Sequence, residues 1–316
     1  FKMQKIGNVL SLFDGLSGGQ IALKRAGIDY DQYYASEVDK YAIEIAKKNN
    51  PEMVHLGDVT KWREWSIDWS KIGLLIGGSP CQGFSFAGKR LNFDDPRSKL
   101  FFVYVDILNH IRSFNPDVKF MLENVKMKKQ SLDVISETLG VQPVFINSAS
   151  VSAQNRQRYY WTNWAVTVPK DRGVVLADVI ENGAVDRDKS FCIDANYFKG
   201  GNLKQYFEKH RRQLVFSGDG LCHVGDADLN GHDLIKRVYH PAGKSPTLNT
   251  MSGGNREPKI LVEPDKWRKL TPLECERLQT VPEGYTEGVS NSQRYKMLGN
   301  GWTVDVIAHI FDEGLV

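Results

Sequence analysis

The sequence predicts an α/β fold in which a doubly wound, mostly parallel sheet is covered by helices on both faces and is followed by a smaller irregular domain. Three observations predict it. Short apolar, β-prone runs alternate with helical patterns from Ile6 to Trp164, as βαβ units require. Glycine-rich or acidic turns follow those runs, which places polar groups beyond the strand ends where ligands of such sheets gather. From residue 183 to 256 the helical repeat fades and Gly, Asp, Asn, His and Pro take over.

The elements follow in order. Ile6 to Phe13 is the first strand, and Asp14-Gly15-Leu16-Ser17-Gly18-Gly19 turns it into a helix over Gln20 to Ala26. Such a turn either lets a backbone approach a cofactor or serves close packing. Its spacing differs from GxGxxG, so a dinucleotide is not implied. Tyr33 to Ser36 is a second strand ending at Glu37, with a helix from Asp39 to Asn49 behind it. A carboxylate at that place bonds ribose hydroxyls or complements a helix N-terminus. A third strand ends near His55 to Val59, which leaves Asp58 above the sheet as a ligand group or an N-cap.

Gly73 to Ile76 is a buried strand that runs into Gly77-Gly78-Ser79-Pro80-Cys81-Gln82-Gly83-Phe84-Ser85. Cys81 therefore stands where a nucleophile is well presented, although an unreactive buried thiol fits the local pattern too. A polar loop, Lys89 to Arg97, leads to an amphipathic helix over Ser98 to Phe114, with Leu100, Phe101, Val105, Leu108 and Ile111 on its apolar side. Lys119 to Leu122 is a strand ending at Glu123-Asn124-Val125; Ser131 to Leu139 is a helix closed by Gly140, and Pro143 to Ile146 is a strand. In the extended segment after it, Arg156, Arg158 and Tyr160 share one face, suited to an acidic or carbonyl-bearing ligand or to solvent. Near the end, Thr271-Pro272 and Glu274 form a capping box for a helix, and Val304, Val306, Ile307 and Ile310 give the last helix, Thr303 to Phe311, an apolar stripe.

Composition narrows the class. With 316 residues the chain has enough length for a sizeable core, and 41 Lys+Arg against 38 Asp+Glu leave a net charge of only +3. The charge is segregated: residues 199–269 hold 13 basic and 8 acidic side chains, with Lys204 to Arg212 mixing basic and aromatic residues. That pattern suits phosphate contacts or a solvated face. Four cysteines, at 81, 192, 222 and 275, are too dispersed for a zinc knuckle and too few for a disulfide scaffold, so no metal site is expected and a reducing setting fits best. No apolar run is long enough to span a bilayer, no signal-peptide h-region is present, and no membrane partner is expected.

Taken together, the glycine turn, Glu37, Asp58, Pro80-Cys81-Gln82, Glu123-Asn124-Val125, Gln154-x-Arg156-x-Arg158 and the terminal Gly299-Asn300 closely resemble the DNA cytosine-5 methyltransferase family. The resemblance covers nearly the whole chain except roughly residues 180 to 245. Phe13-Asp14-Gly15, Val151-Ser152-Ala153 and Trp302 look like the branch holding the animal de novo enzymes, whereas Pro80 to Ser85 is more like bacterial and phage enzymes of restriction-modification systems. The implied fold is a Rossmann-like, S-adenosylmethionine-dependent methyltransferase sheet over residues 1–178 and 285–316, with a target-recognition domain over 179–284.

The resemblance implies a division of labour. Cytosine C5 is a poor nucleophile until a thiolate adds to C6, and Cys81 matches that nucleophile. Glu123, with its pKa raised by a dry pocket, would meet N3 and the exocyclic amine; Arg158 would face O2, and Arg156 would orient neighbours or bind backbone. No residue is nominated to remove the C5 proton, a step open to water. For the cofactor, S-adenosylmethionine, with S-adenosylhomocysteine as product, the implied contacts are Phe13, Asp14, Gly15, Ser17, Gly18, Glu37 on the ribose, Val38, Asp58 on the adenine amine, Val59, Pro80, Leu100, Asn300 and Trp302. Two departures stand out: Val38 occupies a position that often holds a tryptophan, and Gly301-Trp302 replaces smaller residues of many bacterial members.

Double-stranded DNA is the implied partner, with the target base flipped out, as is general for DNA methyltransferases, and Lys89 to Arg97 closing over it. Ser79, Gln82, Gly83, Ser85 and Asn124 would contact the base or its strand, and Thr247, Asn249, Asn255 and Arg256 would read sequence from a loop with a glycine pair at its tip. Branch resemblance implies self-association into a homo-oligomer. A cytoplasmic location follows for a bacterial or phage enzyme, a nuclear one for a eukaryotic enzyme. Competing readings are a tRNA cytosine-5 methyltransferase, a catalytically silent DNA-binding regulator, and a cysteine-dependent dehydrogenase, the last opposed by the first turn's spacing.

Overall fold

A computed structural model describes residues 5–80, 86–87, 90–91, 95–216, 223–226, 237–239, 259–260 and 267–315. Cys81, Gln82, Gly83, Ser85, Lys89 and residues 92–94 of the loop that follows it, and Thr247, Asn249, Asn255 and Arg256 lie outside the described residues.

The central sheet contains β1 (Asn8–Leu12), β2 (Tyr33–Ser36), β3 (Val54–Gly57), β4 (Ile72–Gly78), β7 (Lys119–Val125), β8 (Val144–Asn147) and β9 (Gln157–Thr162). A short antiparallel pair, β5 (Phe86–Ala87) and β6 (Arg90–Leu91), intervenes in the chain. The spatial order is β3-β2-β1-β4-β7-β9-β8. β1 pairs in parallel with both β2 and β4, so the strand order reverses between β1 and β4, the place where a doubly wound sheet opens a ligand crevice. β9 pairs antiparallel with β7 and β8, the exception in a parallel sheet.

Alternation explains why these strands read as unbroken apolar runs. Val9, Leu74, Ile76 and Met121 enter one core while Leu10, Leu12, Leu75, Phe120 and Leu122 enter the other, because neighbouring side chains point to opposite faces and both are covered. Helices α1 (Gly18–Arg25), α2 (Lys40–Asn49), α3 (Pro96–Phe114) and α4 (Lys129–Leu139) supply the cover. Asp39 caps α2 by accepting from the Tyr41 and Ala42 amides, and Gly140 closes α4 at φ +70°.

From β1 to β9 the strands and longer helices follow the order read from the sequence, apart from the short β5–β6 pair, and several of their ends differ. β4 continues through Gly77-Gly78, and β7 runs through Glu123 and Asn124 rather than ending before them. The cause is pairing: Glu123 opposes Gly78 on one side and Tyr160 on the other, so the ladder is filled on both sides.

Beyond the sheet come α5 (Leu203–Lys209), β10 (Leu214–Phe216), β11 (His223–Asp226), β12 (Arg237–Tyr239), β13 (Lys259–Ile260) and β14 (Trp267–Lys269), then α6 (Pro272–Leu278), α7 (Asn291–Asn300) and α8 (Val304–Asp312). Thr271 and Glu274 form the expected capping box on α6. The helix α7 was not legible in the pattern, because its interior is polar and only Tyr295, Met297, Leu298 and Gly299 are buried. Asn300 therefore closes a helix instead of standing in a loop. The stripe of α8 is buried, as expected, in a core that also takes in Leu176, Tyr197, Val215 and Cys275. Among the described residues no helix is long and apolar enough to cross a membrane.

Candidate active site

The carboxyl ends of the parallel strands open into a cavity of about 780 Å³. Its lining joins segments far apart in the chain: Phe13 and Gly15 after β1, Glu37 and Val38 after β2, Asp58 and Val59 after β3, and Gly78, Ser79 and Pro80 at the end of β4. Glu123 and Asn124 of β7, Arg156 just before β9, Arg158 within it, Leu100 of α3 and Asn300 of α7 are further expected residues that line it. Asp14, Ser17, Gly18 and Trp302 are outside the lining.

The first turn is built by unusual backbone. Phe13, Gly15 and Ser17 all have positive φ, at 57°, 58° and 71°. Only the glycine adopts this freely, and non-glycine residues persist there when their surroundings fix them, often at binding sites. The fixing groups are visible. Glu37 Oε2 accepts from the Gly15 amide at 2.8 Å, while its Oε1 accepts from the amides of Val38 and Asp39 at 2.8 and 2.9 Å. Asp14 Oδ1 accepts from Ser11 Oγ at 2.6 Å and Tyr33 Oη at 2.7 Å. Burial pushes the Asp14 carboxyl up to about 6 against the pull of those two donors. Asp58 caps the turn after β3 through the Thr60 amide and hydroxyl, contacts that hold its carboxyl below the ordinary value. Asp58 is thus the N-cap, and it also lines the cavity.

At the other end, Arg158 Nε stands 2.9 Å from Glu123 Oε1. Burial alone would lower the Arg158 pKa, but the adjacent Glu123 charge reverses the balance and raises it. Trp302 Nε1 donates to Glu123 Oε2 at 3.1 Å. Asn124 is 1 % exposed; its Oδ1 accepts from the Val125 amide, and its Nδ2 has no hydrogen-bond partner among the described residues.

Arg156 has a different environment, although it precedes Arg158 by two residues. It is 4 % exposed and donates to three carbonyls: Ile193 at 2.9 Å, Gly299 at 3.0 Å and Gly301 at 2.8 Å. Burial, then the neighbouring Arg158, lowers its pKa below the usual guanidinium value. These three hydrogen bonds fasten two segments that line the cavity. One of them, Cys192 to Asn196, carried no sequence signal as a site. Gly299 was the available clue: a Cβ there would lie 2.1 Å from the Asp194 carbonyl carbon and 2.5 Å from the Ala195 amide nitrogen, so only glycine lets that backbone approach.

The arrangement has two ends with distinct chemistry. One offers carboxylates and positive-φ backbone at the turns after β1 and β2; the other offers a carboxyl and a guanidinium in one largely buried pair on β7 and β9.

Comparison with known proteins finds methyltransferases. The chain is 29% identical to the type II methyltransferase M.HpaII of Haemophilus parainfluenzae over 327 residues, covering 94% of this chain and 86% of that one. It is 29% identical to M.HhaI of Haemophilus parahaemolyticus, covering 95% and 92%, and 28% identical to the orphan methyltransferase M.Rho11sI of Bacillus phage rho11s, covering 96% and 97%. In structure it is similar to the Entamoeba histolytica methyltransferase EhMeth (TM-score 0.66, 16% identity, 98% of each chain) and to Spodoptera frugiperda DNMT2 (TM-score 0.61, 18% identity, 96% and 98%), identities at which the likeness speaks for the fold. The family profile described as C-5 cytosine-specific DNA methylase matches residues 7–314, and the chain belongs to that family.

Proposed function

We propose that this C-5 cytosine methyltransferase uses Cys81 as its nucleophile, Glu123 and Arg158 to stabilise the attacked ring, and S-adenosylmethionine bound between the β1 turn and Glu37. The observation that carries this reading is the Glu123–Arg158 pair lining the same cavity as Gly15, Glu37 and Asp58. The cavity suits the cofactor: its volume lies in the range of small-molecule sites, the carboxylates of Glu37 and Asp58 can accept from hydroxyl and amine groups, and Phe13, Val38 and Leu100 provide apolar wall.

Addition of the Cys81 thiolate to cytosine C6 forms a C–S bond and moves an electron pair toward N3 and O2. Arg158 is placed to meet O2 with a cation, and Glu123 to meet N3 and the exocyclic amine. When bound, S-adenosylmethionine would supply a sulfonium methyl group, whose S–CH3 bond would break as the C5–CH3 bond forms, with S-adenosylhomocysteine as the leaving thioether. Loss of the C5 proton to a base, with water the available candidate, then expels Cys81 and restores the aromatic ring. Arg156 takes no part in bond making in this scheme; it holds the Ile193 and Gly299 to Gly301 backbone as cavity wall.

Cytosine within a duplex is out of reach of such a recessed site, so the base must leave the stack. Residues 179–284 are the proposed target-recognition unit, with residues 1–178 and 285–316 forming the catalytic one; the basic excess over 199–269 supports DNA as the partner. Self-association of the chain remains part of this proposal and is read by sedimentation. The decisive experiment incubates the protein with methyl-labelled S-adenosylmethionine and either random-sequence duplex DNA or tRNA, then maps 5-methylcytosine at base resolution. Modified cytosine in DNA, abolished by Cys81→Ala, is expected. Label confined to tRNA, or none in either polymer, would overturn the reading.

A further inference from the structure

Trp302 lies between α7 and α8, and its indole reaches from Glu123 of β7 to the start of α1. Nε1 donates to Glu123 Oε2 at 3.1 Å while Arg158 Nε reaches the other oxygen, Oε1, at 2.9 Å. At the opposite edge of the ring, Cε3 lies 4.0 Å from where a Cβ on Gly18 would sit, at the start of α1. Gly78 is the register partner of Glu123 on β4. A Cβ at Gly78 would fall 2.8 Å from Glu123 Oε2 and 2.9 Å from Trp302 Nε1, so the missing side chain is what lets carboxylate and indole meet.

We propose that Trp302 is a positioning residue for Glu123, and that Gly78 serves the same contact by leaving it space. The terminal torsion of a glutamate is broad and weakly restrained. One donor on one oxygen leaves the carboxyl plane free to swing; separate donors on both oxygens fix it. With Arg158 on Oε1 and Trp302 on Oε2, the plane is set before a base arrives, and misplacement by about 1 Å at a reacting group is enough to lower a rate on the order of 100-fold. Trp302 is outside the cavity lining, yet its Cε3 edge faces Gly18 beside the first turn, so positioning of Glu123 is tested apart from an effect on the cofactor. The inference rests on the reading of Glu123 as the group that meets cytosine N3.

The test measures the single-turnover methyl-transfer rate at saturating DNA and cofactor, together with the calorimetric affinity for S-adenosylhomocysteine. Trp302→Phe removes the N–H and keeps an apolar ring; replacement of the indole by benzothiophene, through benzothienylalanine, removes only the N–H and keeps the shape. Gly78→Ala attacks the same contact from the other strand, where the atoms it meets, Glu123 Oε2 and Trp302 Nε1, belong to side chains and not to backbone. A rate loss of roughly 10- to 100-fold is expected in each, with product affinity within about threefold, and the Gly78→Ala/Trp302→Phe double variant no slower than the worse single one. Rates within twofold of the parent, a loss of affinity that matches the loss of rate, or singles that multiply in the double variant would each overturn the proposal. If Trp302→Phe fails to fold, the benzothiophene replacement decides. Glu123→Gln separates the two readings: full activity there removes the catalytic role of Glu123 itself, whereas an inactive Glu123→Gln beside a normal benzothiophene variant removes only the role of Trp302.

Discussion

Glu123 and Arg158 meet across a diagonal of the β7–β9 ladder, for Glu123 is the register partner of Tyr160 and Arg158 that of Val125. Residues two apart share a face, so the antiparallel return of β9 delivers the guanidinium to the carboxylate. The pair is nearly closed to water, with side chains 15 % and 11 % exposed. Such a pair contributes little stability relative to an apolar one, yet breaking it strands a charge. Its retention at the head of a cavity fits a chemical role.

Arg158→Ala is therefore expected to lower the methyl-transfer rate by more than about 100-fold and to destabilise the fold by roughly 3 kcal/mol, as Glu123 loses its cation. Arg158→Lys should recover most of the stability and little of the rate, because an ammonium cannot reproduce the fork of the guanidinium. Single-turnover kinetics and urea denaturation check both; a fully active lysine variant would contradict the geometric requirement.

Arg156 should respond in the opposite proportion. Its removal leaves the Ile193, Gly299 and Gly301 carbonyls without their charged donor in a buried place, which should cost about 3 kcal/mol and loosen both segments that wall the cavity. Arg156→Ala is thus predicted to lower the melting temperature and the cofactor affinity together, and saturating cofactor should restore part of the melting temperature. Differential scanning calorimetry with and without S-adenosylhomocysteine reads this. Unchanged stability would show that the three contacts are dispensable.

Asp14 gives a pH dependence with a definite sign. Its folded pKa is raised from 3.8 to about 6, so between those values the folded state binds more proton than the unfolded one. Its contribution is fully present below about pH 4 and is lost as pH rises through 6, an upper bound of about 3 kcal/mol. Asp14→Asn should abolish this titration: the stability difference between variant and parent should shift in the variant's favour from pH 4 to pH 7. Urea melts across that range check it, and a pH-independent difference would exclude Asp14 as the titrating group.

What the sequence made legible follows from locality. The first turn, Glu37, Asp58 and the Thr271 to Glu274 capping box are written in adjacent residues, and a pattern of strand, turn and helix suffices to place them. Alternation puts Arg156 and Arg158 together, but Arg156 lies before β9 and their separate fates depend on what lies opposite: three carbonyls from distant segments for one, a β7 carboxylate for the other. The Cys192 to Asn196 wall is made of backbone approaching Gly299, a contact between remote segments that no periodicity encodes. The Trp302–Glu123 bond was hidden for the same reason, since its partners are 179 positions apart and Gly78 records it only as a missing side chain.

Val38 provides the last prediction. Its amide is fixed by Glu37 Oε1, it lines the cavity, and its side chain is nonetheless one of the most exposed large apolar groups described, at 72 %. An isopropyl group there covers little of any flat ring laid against it, whereas an indole on the same anchored backbone would offer a full face. Aromatic stacking adds roughly 1 kcal/mol beyond area burial, so Val38→Trp should tighten S-adenosylhomocysteine and S-adenosylmethionine alike by about fivefold. Because substrate and product cofactor share the adenosine, the gain is uniform binding and does not lower the chemical barrier: KM for the cofactor should fall, the single-turnover rate should stay unchanged, and steady-state kcat should fall wherever product release is slow. Calorimetry on both ligands and a comparison of single- with multiple-turnover rates test this. An unchanged affinity in Val38→Trp would place the adenine elsewhere in the cavity, away from β2, and with it the cofactor orientation inferred from Glu37.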